Sequence, residues 1–211
     1  MINFNNISIK LKLCLILLIS ILGIVTVTAL SLQESKTKLI EERQNMVKTI
    51  VLMAENEAKH LLKSVYKGDL TKAQAKARYI STLEGFADSS LYVFAYSGKG
   101  DLLANLTSSR DKIGQNLYDL KDVNGVKIVK LLIDKAKAGD KSATYYHWVK
   151  PGANKVVEKV SYSAYVSEFD LMIGSGSYMD EIEEEYYSEM KKSSVETLFA
   201  VLVLSLIVYL I

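Results

Sequence analysis

Two uncharged apolar runs bracket this chain and limit what can lie between them. Residues 13–32 read LCLILLISILGIVTVTALSL, 20 residues without a charge. As a helix this run covers roughly 30 Å, one bilayer core. Residues 197–211 read TLFAVLVLSLIVYLI, equally apolar but only 15 residues long, or about 22 Å by the same rise. The expected layout is a short N-terminus (1–12), a first transmembrane helix (13–32), a soluble domain (33–194) and a second transmembrane helix (197–211) that looks truncated. Such a layout suggests a piece of a larger receptor whose output lies elsewhere.

Charge sets the expected orientation. Lys10 and Lys12 precede the first run with no acidic residue beside them, so the positive-inside rule keeps the N-terminus cytoplasmic and the domain outside, with the chain held in the cell (inner) membrane. A signal peptide cleaved near Val27-Thr28-Ala29 is the competing reading; it exports the domain as well. Apart from those two lysines the chain carries 24 basic and 24 acidic residues, a balance that argues against a nucleic-acid partner. The only cysteine, Cys14, falls in the first run, so there is no disulfide framework and no Cys/His metal cluster. Histidines are two, His60 and His147, and no G-x-S-x-G elbow occurs; neither catalysis nor a cofactor is expected.

Within the domain, residues 33–67 contain no glycine or proline. Leu32, Leu39, Met46 and Met53 recur every seven residues, with Ile50 and Leu61 beside them. That period suits a helix packed on another helix, here a second copy of the chain toward its N-terminal half and the domain itself beyond. Asp69 or Thr71 can cap a second helix over residues 70–84, which Gly85 ends. Leu91 to Tyr96 reads as a strand, residues 97–100 as a hairpin turn and residues 101–105 as the returning strand. A helix over residues 126–138 and three strands (142–149, 156–166, 171–178) follow, then an acidic helix from Asp180 into the second apolar run. Hairpin links make the sheet mainly antiparallel. The predicted class is α+β, with a long N-terminal helix and flanking transmembrane helices.

Five blocks in order carry a resemblance. They are Tyr92-Val93-Phe94-Ala95-Tyr96 before a glycine turn; Gly114 with residues 119–125 (DLKDVNG); Tyr145 to Trp148 followed by Lys150-Pro151-Gly152; Lys159-Val160-Ser161-Tyr162; and Ile173-Gly174-Ser175-Gly176 with Tyr178 and Asp180-Glu181-Ile182. From about Tyr79 to Ile182 the chain resembles the single Cache domain, type 2, the sensor of bacterial methyl-accepting chemoreceptors and sensor histidine kinases. Two places depart from the pattern. Asn105-Leu106 stands where the family often has His-Pro, and Phe169 and Leu171 replace two tryptophans. The resemblance implies a PAS-like antiparallel sheet, a homodimer and a small organic acid ligand such as a C2–C4 carboxylate. It implies chemoreceptor output, with a histidine kinase or a tethered binding protein without output as alternatives. Cytoplasmic signalling partners would require a further C-terminal part.

A carboxylate taken out of water needs cationic or hydroxyl donors, and its tail needs apolar walls. Lys159, in an apolar strand, is the first candidate for the acid; an exposed lysine on a sheet edge is the other reading. Arg78 could add a bidentate fork, or be a surface helix residue. Tyr146 and Trp148 share a strand face, as do Tyr92, Phe94 and Tyr96; each set could wall a pocket or fill a core. Asn105 can still donate but cannot change charge near neutral pH. Tyr79 and Tyr162 complete the candidate set. Gly174 and Gly176 read as a close approach of backbone rather than a phosphate loop.

Overall fold

The computed structural model describes residues 8–85, 92–105, 110–150, 153 and 155–210. Leu91, Leu106, Pro151, Gly152 and Asn154, which the sequence assigns to a strand and two loops, lie outside the described residues. The elements run α1 (Ile9–Tyr66), α2 (Lys72–Glu84), β1 (Val93–Ser97), β2 (Leu102–Asn105), α3 (Ile128–Lys137), β3 (Thr144–Val149), β4 (Val156–Val166), β5 (Leu171–Tyr178) and α4 (Met179–Leu210). The chain divides into two units, Met1–Ile40 with Glu181–Ile211, and Glu41–Asp180.

The first unit is helical. Its parts of α1 and α4 hold apolar windows of mean hydropathy 2.8 and 2.1, none of it buried, long and apolar enough to cross a membrane. The Thr28 and Thr197 hydroxyls lie 3.1 Å apart, and Lys36 stands over the Tyr186 ring, 5.3 Å from its centroid.

The second unit is a five-stranded sheet in the order β2-β1-β5-β4-β3, antiparallel at every pairing. Alternation along the strands sends two sets of side chains to opposite faces. Val93, Ala95, Tyr162, Ala164 and Ile173 meet α1 and α2. Tyr92, Phe94, Tyr96, Tyr146 and Met172 meet α3. The α1 stripe buried on the sheet is Val47, Val51, Ala54, Ala58 and Leu62, one helical face. The seven-residue stripe is a different one. Met46 and Met53 are exposed; the buried face lies one residue on, with Val47 and Ala54 in it.

Thr71, not Asp69, caps α2: its hydroxyl accepts from the Gln74 backbone N–H while the Gln74 side chain accepts from that of Thr71, a reciprocal pair. Tyr79 then points into the layer between α2 and the sheet, fully buried, and donates to the Ala54 carbonyl at 2.8 Å. Tyr79→Phe is expected to lower unfolding stability by about 1 kcal/mol, the net worth of one buried hydrogen bond. Ligand affinity should not move. Urea unfolding and calorimetry on the same variant check both parts.

Candidate ligand site

The site forms on the α3 face, and its floor is the central strand. Gly174 and Gly176 of β5 turn toward this face without side chains, opposite Phe94 and Ser161 respectively. A Cβ on Gly174 would strike the Phe94 ring, with Cζ at 2.5 Å, and one on Gly176 would strike Ser161 Oγ and lie 2.5 Å from Lys159 Cε. The bare strand therefore lets an aromatic ring and a lysine stem lie flat across it.

Sheet register assembles the rest. Lys159 pairs with Tyr146 on one side and Tyr178 on the other. Its side chain is 2 % exposed. Lys159 Nζ donates to the Tyr92 hydroxyl and lies 4.5, 5.1, 5.2 and 5.9 Å from the ring centroids of Tyr92, Tyr178, Phe94 and Tyr146, within cation–π range. The Tyr146 hydroxyl and Ser161 Oγ are 2.9 Å apart, the Tyr92 and Tyr178 hydroxyls 3.3 Å apart. No carboxylate among the described residues pairs with Lys159. Burial by itself would lower the Lys159 pKa; the Tyr146 and Tyr92 oxygens outweigh it and set the ammonium above its ordinary value. Burial pushes the Tyr146 hydroxyl up against the opposing pull of Lys159, so at neutral pH the cluster is one cation among neutral phenols.

The cavity over this cluster has a volume of about 20 Å³, room for about one water. Ile128, Val129 and Leu132 of α3 roof it, Tyr96 and Asn105 close one end, and Trp148 the other. Thus Tyr92, Phe94, Asn105, Tyr146, Trp148 and Lys159 come together around one cavity. Three candidates do not. Arg78 is exposed on α2, and α2 covers the opposite face of the sheet, where Tyr79 packs on Phe169 with centroids 5.7 Å apart. Tyr162 is an odd number of residues from Lys159, so the pleat sends it to that same helical face. Ser161, Tyr178 and the α3 residues were missed. Ser161 was legible, two residues from Lys159 on one strand; Tyr178 becomes a neighbour only through register.

A second, wider cleft of about 290 Å³ lies outside Trp148, bordered by Lys112, Asp122 and His147. Asp122 organises its loop. Oδ1 accepts from the backbone N–H groups of Asn124 and Val126, both at 2.9 Å, and Oδ2 from that of His147 at 3.2 Å. Slight burial opposes ionisation, but these bonds hold the carboxyl below its ordinary value. The DLKDVNG block is therefore an anchor for the loop that leads into α3.

Comparison with known proteins agrees with this architecture. The profile of the family described as Single Cache domain 2 matches residues 39–192. The sensor histidine kinase MctS of Rhizobium johnstonii is 30% identical over 79% of this chain and 37% of its own length. The methyl-accepting chemotaxis protein McpP of Pseudomonas putida is 22% identical over 98% of this chain and 38% of its own. The chain thus spans under two fifths of these relatives. Among solved structures, a methyl-accepting chemotaxis protein from Vibrio parahaemolyticus superposes with a TM-score of 0.61 at 31% identity, over 72% of this chain and 99% of that one. A Cache chemosensory domain solved for carboxylic acid recognition gives 0.60 at 20% identity, over 67% and 97%, and speaks for the fold.

Proposed function

The chain belongs to the single Cache domain 2 family, and from that premise we propose that it is the ligand-sensing region of a bacterial transmembrane chemoreceptor that binds a small organic acid. One observation carries the reading: a buried ammonium held by phenols and ring faces, with no acidic side chain of the described residues beside it. An anionic guest supplies the missing counter-charge. Trp148, Phe94, Val129 and Leu132 would face its short tail. The small cavity favours C2–C4 carboxylates and requires the walls to part on binding.

The apolar windows of α1 and α4 would cross the inner membrane, with residues 33–194 outside the cytoplasm and the signal leaving through these helices. Met46, Leu52 and Met53, exposed along α1, would pack on a second copy. A histidine kinase is the second reading, favoured by the 30% identity to MctS. The coding sequence after residue 211 separates the two: a long heptad-rich helical region for a chemoreceptor, a kinase core for the rival.

Isothermal titration of the chain in lipid nanodiscs with acetate, propionate, lactate, pyruvate and matched amines tests the ligand class. Heat from one or more acids is expected, and a response confined to amines would overturn the proposal. Asn105, 6 % exposed at the cavity end, gives a further expectation. Asn105→His places a titrating group beside the carboxylate, so acid binding should tighten as pH falls through about 6.5. The parent should stay flat over the same interval in titrations at pH 5.5 and 7.5, and a flat profile in the variant would count against this placement.

A further inference from the structure

The hydrogen bonds of the cluster do not end at the cavity. Tyr178, the last residue of β5, stands one residue before α4 begins at Met179. Its hydroxyl lies 3.3 Å from that of Tyr92 and donates to the Val149 carbonyl at 3.2 Å. The next residue of that segment, Lys150, pairs with both carboxylate oxygens of Asp180, each at 3.2 Å, and its Nζ lies 5.9 Å from the Tyr178 ring centroid. The end of β3 and the start of α4 are therefore clipped together twice, once by Tyr178 and once by the ion pair.

A phenol has one hydrogen to give. With Tyr178 donating to Val149, the bond between the two phenols must run from Tyr92 to Tyr178. Tyr92 in turn accepts from Lys159. All three bonds then point one way, from the buried ammonium to the β3 carbonyl, and each strengthens the next. A carboxylate at Lys159 is a stronger acceptor than a phenol, and Tyr92 is the donor beside it. If the Tyr92 hydrogen turns to the carboxylate, it leaves Tyr178.

We infer that Tyr178 is the positioning residue that couples the pocket to α4: an acid at Lys159 and the Tyr92–Tyr178 hydrogen bond exclude one another, and loss of that bond loosens the clip at Val149–Lys150 and Asp180. The source of the switch rests on the acid-binding reading above; the coupling does not. A ligand shifts such an element only by preferring one arrangement over the other.

Hydrogen exchange of residues 179–190, measured on the chain in nanodiscs, tests the coupling. Without ligand, Tyr92→Phe and Tyr178→Phe should each speed exchange there about 5-fold or more. The double variant should match Tyr178→Phe, which by itself removes both bonds of the relay. Multiplying effects, or no effect of either, would overturn the relay. Sodium propionate supplies the second arm. It should change exchange in the parent but not in Tyr178→Phe, each held at a propionate concentration that calorimetry shows to saturate it; a parent-like response in Tyr178→Phe would overturn the relay too. If propionate and the other acids give no heat with the parent, the acid reading fails, and the ligand-free comparison still decides the relay.

Discussion

Lys159→Met should abolish measurable binding of small carboxylates while the domain continues to unfold cooperatively. The ammonium is the only cation that the described residues place against the cavity, and removing one partner of a desolvated, hydrogen-bonded charge pair costs about 2–5 kcal/mol. That corresponds to a loss in affinity of at least about 30-fold. Methionine keeps the length and volume of the stem that lies across Gly176, so stability should stay within about 1.5 kcal/mol of the parent. Tyr146 keeps Ser161 as a partner and Tyr92 keeps Tyr178, so no phenol is stranded. Arg78→Ala is the matched control. Its side chain is exposed on α2, across the sheet from the cavity, and the affinity should not change. Titration of the three proteins with propionate reads the contrast.

Gly176→Ala should cost both stability and binding. The added methyl would sit 2.5 Å from Lys159 Cε and 2.9 Å from the Val160 carbonyl oxygen, with Ser161 Oγ still closer. Both strands are central and cannot yield easily, so the overpacking is worth about 1–3 kcal/mol. The lysine stem must also leave its course. An affinity drop of about 10-fold or more corresponds to only about 1.4 kcal/mol of lost interaction. Gly68→Ala is the informative comparison. Gly68 has φ +82 with nothing within 4 Å of a built Cβ, so alanine there strains the backbone by about 1–2 kcal/mol and leaves the ligand site alone. Similar stability losses with binding lost only in Gly176→Ala is the expected pattern in paired urea unfolding and calorimetry.

The strands were the most legible elements. Val156–Val166 and Leu171–Tyr178 alternate between two buried faces, and the structure keeps those bounds. Residues 13–32 and 33–67 read as two successive helices, yet α1 is continuous from Ile9 to Tyr66, because no glycine or proline falls where they meet. The site was legible wherever a single strand decides the face. Tyr146 with Trp148, and Tyr92 with Phe94, follow from a period of two. It was illegible where a helix must choose a face. Arg78 and Tyr79 carry suitable chemistry, but no local pattern says which side of the sheet α2 covers. The same gap hid Ile128, Val129 and Leu132: a helix over residues 126–138 was legible, but not the face of the sheet that it covers. Tyr178 needed the β4–β5 register, which sets it opposite Lys159.

A crystal structure of the chain grown with sodium propionate decides whether Lys159 receives the acid. The carboxylate is expected about 3 Å from Lys159 Nζ, with a second bond from a cavity phenol and the tail against Val129 and Leu132. Propionate in the outer cleft beside Lys112 and His147, with Lys159 still bonded to Tyr92 and its cavity unchanged, would contradict that placement.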